Sequence, residues 1–131
     1  MDSRVTYQTL VKQVLAEYAA YRSQWDAQIA SRVICDDEHG AYLVLDMGWD
    51  GDKYWHTTPI HVDVLNNKIW VQYDETEEGI ATELVASGVP KEDIVLGFHP
   101  PELRSYTEFG VGAASELQAA SGQRSVDRRA A

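Results

Sequence analysis

Residues 41–74 read AYLVLDMGWDGDKYWHTTPIHVDVLNNKIWVQYD, and the turn signals inside this stretch decide the fold. Asp50-Gly51-Asp52-Lys53 is a hairpin signal, because Asp-Gly readily takes the positive φ angles that such turns require. Asn66-Asn67 is the next turn. Around and between them the chain is rich in β-branched and aromatic residues, which predicts strands over 41–49, 54–65 and 68–74, with Pro59 at a bulge or an edge position. Upstream, Ser31 to Asp36 reads as a further strand that turns at Glu38-His39-Gly40. Four strands joined by tight turns make an antiparallel meander.

Alternation separates the faces of the last two strands. His56, Thr58, Ile60, Val62 and Val64 point one way, and Trp55, Thr57, Pro59, His61, Asp63 and Leu65 the other; next along, Ile69, Val71 and Tyr73 oppose Lys68, Trp70, Gln72 and Asp74. The face formed by Ile60, Val62, Val64, Ile69 and Val71 needs an apolar cover. Ser3 to about Tyr21 supplies one, since Tyr7, Leu10, Val11, Val14, Leu15, Tyr18 and Tyr21 recur at helical spacing behind a capping Ser3. Downstream, Thr76 is the expected cap of a short helix from Glu77 to Ser87 that stops at Gly88, with Glu77 and Glu78 at the positive end of its dipole. Pro90 opens another helical turn, Ile94, Val95, Leu96 and Phe98 return to the core, and His99-Pro100-Pro101 leaves in extended form. The expected architecture is α+β: an N-terminal helix, a four-stranded antiparallel meander sheet, then one or two short C-terminal helices, in one domain over 1–112. Residues 113–131, rich in Ala, Ser, Gln and Arg, are expected to form a mobile tail.

A chain of 131 residues with 44% hydrophobic content can close one core and not two. Its formal charge is −10, and residues 1–112 carry −11 because the remainder, with Arg124, Arg128 and Arg129, is slightly basic. Nucleic-acid binding depends on Lys and Arg contacts to phosphates, so direct binding by this acidic body is excluded from the expectation. With no basic segment leading into an apolar stretch and no long apolar run, a cytoplasmic protein is expected. The single cysteine, Cys35, is expected to be a buried, inert thiol.

Motifs of catalysis are missing: there is no phosphate-binding glycine loop, nucleophile elbow or zinc-ligand pattern. His61 and Asp63, two apart on a strand, share a side and could be two metal ligands, yet no third is marked. Asp36, Asp37 and Glu38 read as solvated turn acids, and His99 as a hydrogen-bonded histidine at the core edge. No catalytic, cofactor-binding or metal residue is therefore assigned, and the expectation is a protein that is not an enzyme. The mixed sheet face is more informative. Trp49, Trp55 and Trp70 beside His61, Asp63 and Gln72 combine large contact area with hydrogen-bonding groups, which marks an interaction face unless the first helix or the C-terminal segment covers it. If that face pairs with itself, the chain forms a homo-oligomer.

A resemblance then adds to this reading. Lys68-Ile-Trp-Val-Gln-Tyr-Asp74, Thr76-Glu-Glu-Gly-Ile-Ala81, Glu83-Leu-Val85, the block from Gly88 to Gly97 (GVPKEDIVLG) and Phe98-His-Pro-Pro101, with Tyr18, Gly48-Trp49, His61-Val-Asp63 and Tyr106 to Phe109, resemble the XisI family over residues 3–111. These are small cyanobacterial proteins named as controlling factors for excision of the fdxN element. Glu75, where glycine is common, and the tail after Gly112 depart from the family pattern. The resemblance implies an accessory to genome rearrangement, in which a separate site-specific recombinase cuts and rejoins DNA and a nuclease-fold companion, XisH, is also needed. It carries no catalytic residue across. Two other roles stay open: a regulatory subunit or antidote of an XisH-type nuclease, and a small metal-dependent enzyme using His61, Asp63 and His99.

Overall fold

The computed structural model describes residues 3–26 and 28–113, with side chains from Thr6 onward. The expected tail beyond Ala113 and the capping role of the Ser3 side chain lie outside the described residues. The elements run α1 (Ser3–Trp25), β1 (Ile29–Asp36), β2 (Ala41–Asp50), β3 (Lys53–Leu65), β4 (Lys68–Asp74), α2 (Ile80–Ala86), a 3-10 turn (Lys91–Asp93), β5 (Ile94–Leu96) and α3 (Pro101–Arg104). The sheet has five strands in the order β1-β2-β3-β4-β5. Its first four are the expected antiparallel meander, and β5 adds to β4 in parallel. β5 escapes a sequence reading because three residues are too few to show a period.

The turns follow backbone chemistry. Asn66 and Asn67 both take positive φ, at 49° and 61°, as a two-residue type I′ hairpin between Leu65 and Lys68 demands. At the other hairpin Gly51 alone does so, at 63°, with Asp50 paired to Lys53.

Side-chain direction departs from simple alternation at two places. Between the pairs Val44–Ile60 and Asp46–Thr57, β3 advances one residue more than β2, a bulge around Thr58 and Pro59. Between His61–Tyr73 and Val62–Val71, β4 has one residue extra, Gln72. An added residue reverses every side chain beyond it. Trp55, paired with Gly48, therefore joins the helix side with Lys53, whose Nζ lies 4.2 Å from its ring, while His56 and Tyr54 move to the outer side. Beyond Gln72, Tyr73 turns outward beside His61 and Asp74 turns inward beside Ile60.

The inner face packs on α1 and α2. Val11, Val14 and Leu15 of α1 and Ile80, Ala81 and Leu84 of α2 close over Tyr42, Val44, Ile60, Val62, Val64, Ile69, Val71 and Ile94. The apolar stripe of α1 ends at Tyr18 and Ala19, since Tyr21 is 61% exposed and lies tilted against the more exposed Trp25. α2 starts three residues later than expected because Asp74, turned inward by the bulge, accepts the Ile80 amide at 2.6 Å, and Thr76 Oγ1 accepts the Gly79 amide at 3.1 Å. Glu77 and Glu78 are thus outside the helix rather than in its first turn. The far end closes as expected at Gly88: the Val89 amide reaches the Leu84 carbonyl and the Gly88 amide that of Val85, a Schellman motif with Val89 buried. Cys35, expected to be buried, is exposed, because β1 is an edge strand with little packed beyond it. No helix among the described residues is long and apolar enough to cross a membrane.

Tyr7 ties α1 to the segment before β5 through a 2.5 Å hydrogen bond donated to Asp93 Oδ2. Burial, then the Asp93 bond and charge and the charge of Glu92, push its hydroxyl up to about 12. The stabilisation from the protonated hydroxyl is complete below the ordinary tyrosine value near ~10 and is lost as pH rises through about 12. A tyrosinate absorbance titration is expected to show a component with its midpoint near about 12 that disappears in Tyr7→Phe.

Candidate functional site

The candidate residues divide between two sides of the sheet. Register places Leu43, Leu45, Met47 and Trp49 of β2, Ile34 of β1, Tyr54, His56, His61 and Asp63 of β3, and Trp70 and Tyr73 of β4 on the outer face. Trp55, expected there, faces the helix side because of the β3 bulge. Ile34, Trp49, Tyr54 and Tyr73 are exposed, Trp49 at 59%. Trp49 and Tyr54 are cross-strand partners with ring centroids 5.1 Å apart, and Tyr54 lies 6.4 Å from His56. Half-buried Leu43, Leu45 and Met47 lie inboard of them. The result is an apolar strip, with its aromatic end at the β2–β3 hairpin, and neither α1 nor α2 covers it.

Beside the strip sits a fixed polar group. His61 Nε2 is 3.0 Å from Asp63 Oδ1, and Gln72 Nε2 donates to Asp63 Oδ2 at 3.1 Å. The β4 bulge sets this up, since the extra residue is Gln72 itself. The bond to Asp63 raises His61 above the ordinary histidine value, against burial, which lowers it; the Asp63 charge adds to the rise. Its stabilising contribution is complete below about 6.5 and lost as pH rises through the higher folded midpoint. The expected metal-enzyme alternative gains no third ligand: no group of three or more His, Cys, Asp or Glu residues among those described could hold a metal ion. His99 instead packs against Phe98.

Trp70 is also on the outer face, opposite Asp63, but it is fully buried and so unavailable as a contact residue in this conformation. The C-terminal segment seals it. Gly110 donates to the Ile94 carbonyl at 2.7 Å, which runs the chain along the outer edge of β5. Gly112, at φ 67°, then lies against the indole so closely that a Cβ there would be 2.6 Å from it. Arg104 holds the loop shut. Its guanidinium, 5.2 Å from the Trp70 ring, donates to the carbonyls of His99 (3.1 Å), Gly97 (3.3 Å) and Val111 (3.4 Å). Sequence reasoning missed Arg104; the glycines at 97, 110 and 112 around a lone arginine were the available signal.

Replacing Arg104 with Met strands three carbonyls and is expected to cost about 2–4 kcal/mol. Denaturant unfolding checks the cost, and a red-shifted tryptophan emission that vanishes in a Trp70→Phe background checks the unsealing. For the polar group, Asp63→Asn is expected to move the His61 midpoint from above to below about 6.5, since burial then acts alone. Imidazole proton shifts followed against pH read this directly.

Comparison with known proteins bears on what such a face is for. The family model described as XisI protein matches residues 1–111. The crystal structure of a XisI-like protein from Anabaena variabilis superimposes with a TM-score of 0.77 at 40% identity, over 83% of this chain and 99% of that one. That of the fdxN element excision controlling factor XisI from the same organism gives a TM-score of 0.73 at 32% identity, over 85% and 100%. Among curated proteins no sequence matches.

Proposed function

The chain belongs to the XisI family, and from that premise we propose that it is an accessory factor that controls site-specific excision of a DNA element through protein–protein contact rather than catalysis. The controlling role comes from the family member so named. The observation that carries the contact mechanism is the open strip from Ile34 through Leu43, Leu45 and Met47 to Trp49 and Tyr54, flanked by the His61–Asp63–Gln72 group. Aromatic and aliphatic side chains left in water beside oriented hydrogen-bonding groups are what a binding partner's surface can desolvate at a gain.

Charge favours a protein as the partner. On the strands of the outer face Arg32 and Lys68 offset Asp36 and Asp63, so the −11 of residues 1–112 is carried elsewhere. A near-neutral apolar strip on an acidic body can meet a folded protein without a large desolvation cost, whereas nucleic-acid phosphates are repelled. The partner in this reading is a nuclease-fold protein of the XisH type, a site-specific recombinase, or both, and a second copy of the chain competes for the same strip.

Co-purification with the nuclease-fold companion tests the assignment. Trp49→Ser with Tyr54→Ser, both exposed and so tolerated by the fold, is expected to weaken retention at least tenfold, and Glu102→Ser on α3 to leave it unchanged. Undiminished retention by the Trp49/Tyr54 variant, with circular dichroism confirming its fold, removes the strip from the mechanism. Sedimentation of both variants reports in the same experiment whether self-association uses it.

A further inference from the structure

The two edges of the sheet end differently. β5 is three residues long, and the Gly110 amide donates to its Ile94 carbonyl, so the chain that follows screens it. β1 has eight residues, pairs with β2 in unbroken register from Ile29–Gly48 to Asp36–Ala41, and has no strand on its other side among the described residues. Free strand edges are ordinarily blunted by proline, a bulge, lysines or a covering segment. β1 has none of the first three, and Arg32, Ile34, Cys35 and Asp36 along it are all exposed. Among the described backbone groups outside the sheet, only the Asp26 carbonyl bonds to β1, taking the Ile29 amide at its start.

The side chains of this edge also match one another. A strand can meet a second copy of itself antiparallel about a two-fold axis only with one residue on the axis, because opposed side chains must share a face. The axes that engage most of the strand lie at Ser31, Arg32, Val33 and Ile34. An axis at Ser31 leaves Ile34 and Asp36 beyond the ladder, one at Arg32 sets two guanidiniums against each other, and one at Val33 sets Arg32 against Ile34. The axis at Ile34 gives matched pairs throughout: Ile34 with Ile34, Val33 with Cys35, and Arg32 with Asp36 twice. Arg32 meets no carboxylate among the described residues, so its charge is free for this. Asp36 is kept ionised by His39, whose amide and then ring hold the carboxyl below the usual carboxylate range.

We infer that β1 is a self-pairing edge: a second copy of the chain adds its own β1 antiparallel about a two-fold axis at Ile34, and the two sheets become one. Main-chain hydrogen bonds supply the attachment, and the two Arg32–Asp36 pairs select the register. On the inner side Val33 of each copy lies against Cys35 of the other. The outer faces run on through Ile34, so the strips of both copies lie on one side of the joint sheet. The edge is separate from Trp49 and Tyr54, so neither this assignment nor the proposed function needs the other.

Sedimentation of the full chain across a range of concentrations tests the inference, and the parent is expected to form a dimer. Ile34→Lys puts two cations on the axis and should raise the dissociation constant about tenfold or more. Arg32→Glu alone and Asp36→Lys alone should each weaken the dimer, whereas an equimolar mixture of the two should recover it, since the reversed charges then face each other. Crosslinking reads the register. Ile34→Cys in a Cys35→Ser background should oxidise to a covalent dimer. The parent should not, because Cys35 and its copy lie diagonally across the axis at about 7–8 Å, beyond the span of a disulfide. A parent that stays monomeric, a mixture that recovers nothing, or a parent that crosslinks readily through Cys35 overturns the inference. So does a dimer lost in Trp49→Ser with Tyr54→Ser but kept in Ile34→Lys, by moving the second copy to the strip. A monomeric parent whose retention of the companion is lost in Ile34→Lys gives the edge to another protein's strand instead.

Discussion

Two extra residues, one in β3 near Pro59 and one in β4 at Gln72, determine what each side of this sheet presents. A strand has a side-chain period of two, so a single insertion exchanges inside for outside along everything that follows. Without the first, Trp55 would stand beside Trp49 and His56 would point at the helices; with it, Tyr54 takes the outer place and lies tilted against Trp49. Without the second, Asp74 would face solvent and the Ile80 amide at the start of α2 would lose its acceptor. The exposed outer strip and the start of α2 thus depend on the same kind of local irregularity.

The outer face is then divided by its neighbours. At the β4–β5 end the Gly97–Gly112 segment folds over Trp70 and is locked by Arg104, a cation whose described hydrogen-bond acceptors are carbonyls. A guanidinium suits that task because it spreads donors in one plane over an aromatic face while reaching several carbonyls. At the β1–β2 end nothing comparable is laid down, and the exposed Ile34, Trp49 and Tyr54 remain. One face thus holds both a sealed indole, Trp70, and an open one, Trp49.

Much of this was legible in the residues. The Asp-Gly and Asn-Asn turns fix the hairpins because few residues tolerate positive φ, and the bounds of β4 follow to the residue. Pro59 announced a bulge, since it cannot donate to the ladder, but the direction of the side chains past it depends on which strand absorbs the extra residue. Gln72 gave no signal at all. Thr76 was the reasonable cap for α2, and Asp74 outcompeted it only through the turn of the chain at Gln72. Arg104 was hidden because a lone cation near the end of a domain reads as solvated. His61, Asp63 and Gln72 were grouped correctly, as His61 and Asp63 sit together beyond the β3 bulge and the β4 bulge presses Gln72 onto Asp63.

The separation of charge from contact surface gives the acidic character a specific physical sense. Were the carboxylates gathered on the open strip, a partner would have to strip water from them, and the cost would offset the gain from burying Trp49 and Tyr54. With Arg32 and Lys68 opposite in sign to Asp36 and Asp63, and Asp63 hydrogen-bonded to His61 and Gln72, the strands of the outer face carry little net charge while the rest of the body is acidic. In the proposed contact mechanism, a preference for protein over nucleic acid would arise from where the charges are absent as much as from where they are present.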